Sequence, residues 1–593
     1  MRKIMHRPYL KDGSEFLNFA CFRKIHMKQI TIFFLLFLSL SALGQTHEYA
    51  NPVKIPMFLS GSFAELRSNH FHSGIDIKTQ GVTGIPIYAV DAGYIARIAV
   101  SPSGFGHALY IRHANGTTSV YGHLKSFRDD IANYVKNSQY DRESFRVDLQ
   151  IPKDMFSVKK GEMIALSGNT GSSGGPHLHF EIRDSETEEP MNPLHYPFPI
   201  KDSTPPRIYA LMIEPLNEYG HVDYREQKKT FPVVFVDGKY QIQNNPVIPV
   251  YGLIGFGIQS NDFFDGSNNR CGVYSIRMFW DGELYYSYKM DRFSFSESRY
   301  INSHIDYEEY ITSKRRFQKT WIDPGNQLRI YDYVRNNGQL RVTDGNIHQV
   351  RLELKDLQGN TSILDFKAES KWQQPSLAET PFDQLLKYNE SNRFRTEGIR
   401  IDFPENSFYT DVKFSWNKKP AQQGLLSAIH VVHQNTTPLH SSATLSIETG
   451  KLEKKYSDKA LLVRVDTISG KISAAGGNYD DGWVSGDIRS FGNYAVALDT
   501  VPPRIVPLSI KNNAAITESS RIRFRISDDL SGINKIEGTL DGKWALFEYD
   551  AKTSLITHYF DAERFELEKR HQFKLKVTDY KGNKSTYEAS FWK

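Results

Sequence analysis

The chain has 593 residues, a 39% hydrophobic and 24% charged composition and a formal net charge of +5. That length exceeds what one hydrophobic core serves, so several domains are expected, and the apolar content excludes wholesale disorder. Aromatic residues reach 13%, with 32 Tyr and 37 Phe, which favours strands over helices.

Ile30–Leu43 is an apolar run of 14 residues preceded by Lys28, and Ala42-Leu43-Gly44 has the small–x–small pattern of a signal-peptidase site. A membrane span needs roughly 20 residues. Residues 1–44 therefore read as a signal peptide with an upstream extension, Met27 as the start codon and Gln45 as the mature start. No integral membrane span is expected after its removal. No Cys follows the apolar run, so a lipid anchor is not expected either. Seven Lys/Arg and two Asp/Glu precede Gln45, so the leader carries the whole formal charge and the mature part is near neutral. This argues against nucleic-acid binding, and no clustered basic face revives it. The expectation is an exported protein, periplasmic rather than extracellular. Of the two cysteines, Cys21 leaves with the leader and Cys271 remains, so no internal disulfide is expected.

From 45 to 200, short strand-like runs alternate with Gly turns: GIPIYAV (84–90), GYIARIAV (93–100), HALYIRH (107–113), GEMIALSG (161–168) and HLHFEIR (177–183). Period-2 alternation predicts an antiparallel β domain. One short helix is predicted near Phe127–Lys136.

Beyond residue 200 a divergent repeat appears. DSTPPRIYALMI (202–213) resembles DTVPPRIVPLSI (499–510), HQVRLELKDLQGN (348–360) resembles HQFKLKVTDYKGN (571–583), and WDGELYYSY (280–288) parallels LDGKWALFEYD (540–550). Pro205 and His348 are 143 positions apart, against 69 for Pro502 and His571, so the first copy carries 74 extra residues. The di-proline disfavours helix, and the aspartates of D-x-x-G-N read as turn formers rather than calcium ligands. Residues 201–370 and 499–593 are expected to be immunoglobulin-like β-sandwiches, the first with an insertion. Residues 371–498 form a third β-rich region, with strands at 399–408, 443–448 and 459–466 and no catalytic constellation. These C-terminal modules are expected to act as a spacer, a surface contact or a docking site for a protein partner. The overall class is mainly β: an antiparallel domain followed by several β-sandwich modules.

The chemistry lies in the first domain. In a strand, residues two apart share a face, so His177, His179 and Glu181 point one way and Leu178, Phe180 and Ile182 the other. FHSGIDIKT (71–79) holds His72 and Asp76 around Gly74, which at positive φ would let both side chains reach one point. Two imidazoles and a carboxylate are ordinary zinc ligands, and three protein ligands leave the fourth tetrahedral position for water. VYGHLKS (120–126) puts His123 at a strand end beside Gly122, which is expected to make the turn. His123 and His177 suit proton transfer and stabilisation of an oxyanion.

H-x-x-x-D, Y-G-H-L and G-N-T-G-x-S-x-G-x-H-L-H-F-E together resemble the lysostaphin-like (LytM-type) zinc endopeptidases over roughly residues 69–183. The resemblance implies a compact antiparallel β fold of the duplicated hybrid motif kind, with a groove over Zn2+. It implies hydrolysis of peptide cross-links in bacterial cell-wall peptidoglycan, so the partners are peptidoglycan stem peptides. It makes His72, Asp76 and His179 the metal ligands and His123 and His177 the catalytic histidines. The segment Lys125–Lys160 is longer than the family pattern and is expected to reshape or cap the groove. Gly171–Gly175 also satisfies the G-x-S-x-G nucleophile elbow, but a strand-like run follows where a helix is needed. His70 shares a strand face with His72 but lacks the H-S-G-I-D spacing and is expected to line the groove. The competing reading is a non-catalytic scaffold that binds the wall or activates an amidase.

Overall fold

The alternating run after Pro176 is the middle of the first sheet. The computed structural model describes residues 48–374, 381–516 and 521–593. The expected signal peptide and its expected cleavage site lie outside these residues. Ala50–Lys593 form one contact unit.

The N-terminal domain contains β1 (Leu59–Gly61), β2 (Ile75–Lys78), β3 (Pro86–Tyr88), β4 (Gly93–Val100), β5 (His107–His113), β6 (Thr117–Gly122) and β7 (Ser126–Phe127). Helix α1 (Asp129–Asp141) follows, then β8 (Val147–Gln150), β9 (Ser157–Val158), β10 (Met163–Leu166), β11 (His177–Asp184) and β12 (Pro190–Met191). The main sheet runs β1-β2-β11-β6-β5-β4-β8, with β12 on β11 and β9 on β4. A smaller sheet runs β3-β10-β7. Leu178, Phe180 and Ile182 are fully buried, as are Ile75 and Ile77 of β2 and Val120 and Tyr121 of β6. Each such side chain contributes roughly 1.5–3 kcal/mol. The other face of β11 is buried too, with His179 3% and Glu181 0% exposed.

The helix predicted over Phe127–Lys136 begins and ends later. Phe127 pairs with Ala165 in the small sheet, while Asp129 and Asp130 occupy the first helical turn, where the dipole favours carboxylates. Ile131, Val135 and Gln139 form the buried stripe. The final turn, past the predicted end, is held by tertiary contacts. Gln139 Nε2 donates to Phe145 O at 2.7 Å, and the Tyr140 ring meets Trp544 edge-on at 5.0 Å.

The remaining modules are sheets. Residues 207–370 build a twelve-stranded assembly that includes the 15-residue strand Val247–Asn261. Its buried cluster takes in Phe63, Ala64 and Phe71, so it shares a core with the N-terminal domain. Half of the extra segment of the first repeat, 37 residues, lies between Glu283–Lys289 and Ile347–Lys355, since Asp281 and His348 are 67 positions apart against 30 for Asp541 and His571. It reaches the N-terminal domain where Phe71 N–H donates to Ser298 Oγ at 2.8 Å and Asn302 Nδ2 donates to Asn69 Oδ1 at 2.9 Å. Two five-stranded sheets and a two-stranded pair occupy residues 384–498, and a four- and a five-stranded sheet form the last module. In that module Phe524 and Phe573 stack at 5.5 Å between the two sheets.

The duplication is visible bond by bond. Asp281-Gly282 and Asp541-Gly542 have positive φ at both residues, as a two-residue hairpin turn needs. Gln349 N–H donates to Asp281, and Gln572 N–H to Asp541, each at 2.8 Å. His348 and His571 contact the same two carboxylates through Nδ1 at 2.7 and 2.8 Å.

Candidate metal and catalytic site

Three adjacent strands deliver the constellation. In the β2–β11 ladder Asp76 stands opposite His179, and in the β11–β6 ladder Gly122 stands opposite His179. His72 precedes β2 and His123 follows β6, so all five predicted side chains converge. His72 Nε2 lies 3.1 Å from Asp76 Oδ1 and 3.1 Å from His179 Nδ1, and His179 Nδ1 lies 3.0 Å from Asp76 Oδ1. His177 Nε2 approaches the same Asp76 oxygen at 3.4 Å. The His123 ring centroid is 4.8 Å from that of His177 and 5.9 Å from that of His179.

Two glycine readings from the sequence need correction. Gly74 is absent from the positive-φ residues. It is small because a Cβ there would stand 2.3 Å from Phe180 O and 2.8 Å from Glu181 Cγ; the β2 chain passes directly over β11. Nor is the turn after β6 made by Gly122. His123 itself adopts φ 59°, a left-handed conformation uncommon for a residue with a Cβ. Gly122 leaves room for His179, whose Cβ would lie 3.3 Å from any Cβ at 122.

Each histidine is anchored at one ring nitrogen. A carbonyl can only accept, so His72 Nδ1–H donates to Ser62 O at 2.7 Å, His123 Nδ1–H to Thr170 O at 2.8 Å and His177 Nδ1–H to Gly175 O at 2.8 Å. His179 Nε2–H donates to Glu181 Oε1 at 2.8 Å. The other nitrogen of each ring is left as an acceptor. His72 Nε2, His179 Nδ1 and Asp76 Oδ1 therefore converge on one point, an arrangement relieved either by a proton on His179 Nδ1, donated to Asp76 Oδ1 at 3.0 Å, or by a shared cation. Zinc ligands at about 2.0–2.1 Å in a tetrahedron stand roughly 3.3 Å apart, close to the separations here, so the donor set fits the ion. Orientation of a ligand imidazole by a carboxylate is the usual outer arrangement of such sites.

The electrostatics agree. Burial opposes charge on His179, yet hydrogen bonds with Asp76 and Glu181 raise it to about 9. Burial also opposes the Glu181 anion, but Arg183 and His179 bring it to about 2. Asp76 is held well below the carboxylate range, with His72, His177 and His179 overcoming its burial. Burial, followed by the neighbouring His179 and His177, lowers His123 to about 3.

Sequence reasoning put Glu181 on the right face but gave it no role; strand parity was the available signal. It also missed Phe105, which stacks on His179 at 4.8 Å, and Arg67, which bonds Asp76 Oδ2 at 3.1 Å. His70 is exposed, hydrogen-bonded to Ser68 O and outside the cluster. Gly171–Gly175 leads into strand β11 rather than a helix, which removes the elbow geometry.

The segment past β7 is a docking surface. Lys136 pairs with Asp561 at 3.0 Å, Arg564 donates to Asn137 Oδ1 at 2.6 Å, and its guanidinium lies 4.2 Å from the Tyr140 ring centroid. Lys552 Nζ donates to Ser173 O at 3.1 Å and to Asn169 O, on the loop that carries His177.

Residues 70–140 and 152–193 match the pattern of Peptidase family M23, and residues 383–499 match a Zu5-like domain. The unmatched gap runs from the last residue of α1 through β8. The chain is similar to the DD-carboxypeptidase/endopeptidase Mpg of Neisseria meningitidis, 32% identical over 139 residues, covering 23% of this chain and 26% of the relative. It is also similar to the peptidoglycan DD-endopeptidase ShyB of Vibrio cholerae, 26% identical over 158 residues, covering 27% of this chain and 30% of that protein. The chain thus spans under a third of the length of either relative. Among solved structures, the catalytic domain of lysostaphin from Staphylococcus simulans aligns at 21% identity with a TM-score of 0.18, covering 23% of this chain and 90% of that one. Residues 70–140 and 152–193 thus carry the pattern of Peptidase family M23, in one chain with a Zu5-like match and β-sheet modules.

Proposed function

We propose that this chain is a zinc-dependent endopeptidase that hydrolyses peptide cross-links of bacterial cell-wall peptidoglycan. The observation that carries the reading is the convergence of His72 Nε2, His179 Nδ1 and Asp76 Oδ1 at 3.0–3.1 Å, each histidine pinned by its other nitrogen. His72, Asp76 and His179 hold the ion. Zinc bound there supplies Lewis acidity toward a peptide carbonyl and lowers the pKa of water. His123, kept neutral by burial and with Nδ1–H fixed on Thr170 O, accepts a proton at Nε2. His177, with Nδ1–H fixed on Gly175 O, stands beside His123, their ring centroids 4.8 Å apart, and steadies developing negative charge when its Nε2 carries a proton. Phe105, stacked on His179, shields that ring from water. The peptidoglycan substrate is supported by the likeness to the peptidoglycan DD-endopeptidase of Vibrio cholerae, and export by the apolar leader, with the periplasm as the proposed site of action.

The test is release of new amine ends from purified peptidoglycan, resolved by product mass. Release should stop with a chelator, return with zinc and be absent in His179→Ala. Hydrolysis by a zinc-free His179→Ala protein would overturn the reading.

A further inference from the structure

The two repeat copies bring together the same three aspartates. Asp202, Asp262 and Asp356 offer carboxylate oxygens within 4.8 Å of one another, as do Asp499, Asp528 and Asp579. The positions correspond. Asp202 and Asp499 precede the di-prolines at the start of each module. Asp262 follows the strand Val247–Asn261, and Asp528 follows Arg521–Ser527. Asp356 and Asp579 open the D-x-x-G-N turns. Even the clamp repeats: Asn360 Nδ2 bridges Asp356 Oδ2 at 2.6 Å and Asp202 O at 3.1 Å, and Asn583 Nδ2 bridges Asp579 Oδ2 at 2.7 Å and Asp499 O at 2.9 Å.

Turn chemistry explains part of this set and leaves part unexplained. Asp356 Oδ1 accepts from Asn360 N–H at 2.8 Å, and Asp202 Oδ1 from Thr204 N–H at 3.2 Å. Asp262 is 2% exposed, and its Oδ1 has no hydrogen-bond partner among the described residues. Asp202 Oδ2 and Asp528 Oδ1 are likewise buried without a partner. Burying an uncompensated carboxylate oxygen is expensive, and here several face one another. Burial and then the neighbouring carboxylates push Asp262 up to about 8 and Asp202 to about 7. The charged groups acting on Asp262 are Asp202 and Asp356, both acidic.

We propose that each of the two repeat modules binds a calcium ion at its start, through Asp202, Asp262 and Asp356 in the first and Asp499, Asp528 and Asp579 in the second. An all-oxygen donor set selects a hard cation. Calcium–oxygen distances of about 2.3–2.6 Å let ligand oxygens on one ion stand up to roughly 5 Å apart, which covers the observed spread. The ion ties the inter-module linker, through Asp202 or Asp499, to two turns of the module that follows. The second site is the weaker one, because the Lys581 ammonium lies near enough to interact with Asp499 and Asp579.

The test uses the full chain, stripped with chelator, reloaded with zinc and titrated with calcium alone by equilibrium dialysis. Wild type should bind two calcium ions, Asp262→Asn one, Asp528→Asn one and the double variant none, while His179→Ala keeps both. Asp262→Asn should remove the tighter class. Thermal melts of wild type should rise with calcium, and if an Asn variant fails to fold, the wild-type stoichiometry decides. No binding at about 10 mM calcium, above the ~1 mM upper range of extracellular modules, or two ions retained in the double variant, would overturn the proposal.

Discussion

Glu181→Gln tests whether the carboxylate behind His179 organises the metal site. The side chain is fully buried, accepts from His179 Nε2 at 2.8 Å, from Arg183 Nε at 2.5 Å and from the Ser73 hydroxyl. Gln keeps the shape and removes the charge. The fall of Glu181 from 4.5 to about 2, at about 1.4 kcal/mol per tenfold, corresponds to roughly 3 kcal/mol of interaction with the anion. Removing one partner also leaves Arg183, 6% exposed, with only the more distant and exposed Glu188 at 3.5 Å, against a loss of about 3–5 kcal/mol for breaking a buried pair outright. These figures describe the same interaction, so urea unfolding should show a loss of about 3–4 kcal/mol. Zinc affinity should fall about 10–100-fold, as when an outer-shell carboxylate is lost, because the amide no longer fixes which nitrogen of His179 carries the proton. Adding Arg183→Met should recover much of the stability but none of the zinc affinity, measured by competition with a chromophoric chelator. Zinc affinity in Glu181→Gln within twofold of wild type would refute the argument.

Gly74→Ala should destabilise the protein by about 1–3 kcal/mol, as overpacking does, and weaken zinc binding, since its Cβ must displace Phe180 O; denaturant midpoints and zinc titration read both. His123→Ala and His177→Ala should keep stoichiometric zinc but lose peptidoglycan hydrolysis at least ~100-fold, whereas loss of zinc would make them ligands. His304, fully buried and lowered by that burial to about 4, is neutral in the folded state while the unfolded chain takes up a proton near pH 6.5. Its stabilising share is intact above pH 6.5, shrinks by about 1.4 kcal/mol per unit toward pH 4 and is then exhausted. Urea titrations at pH 7.5 and 5 should therefore differ less for His304→Asn than for wild type. Tyr140→Ala removes the ring contact with Trp544 and the Arg564 stack, together about 1–2.5 kcal/mol. Hydrogen exchange should quicken in 129–141, and unchanged exchange there would show that the contact carries no weight.

The site was readable where local rules apply. Strand parity placed His177, His179 and Glu181 together, and the H-S-G-I-D spacing set His72 and Asp76 within reach of one another. The sequence could not show why Gly74 is glycine, because the obstacle is the backbone of a strand more than a hundred positions away. Nor could it show that His123 rather than Gly122 takes the left-handed turn, since the reason for Gly122 is the nearness of His179 on the neighbouring strand. The last turn of α1 was missed for a similar reason: its support comes from Phe145 and Trp544, outside any helical window. The repeat aspartates looked sufficient as turn formers because their unpartnered oxygens become apparent only once three separate loops are folded together.

The contact between Lys552 and the carbonyls ahead of His177 also has a temporal side. A ribosome makes the five cluster side chains within the first third of the chain and the lysine more than 370 residues later. During that interval the nascent polypeptide holds the histidines and aspartate but not the clasp on the loop beside them. Translation order therefore sets when the rim is finished, and a proteolytic cut before Lys552 would return the molecule to that earlier, unclasped stage.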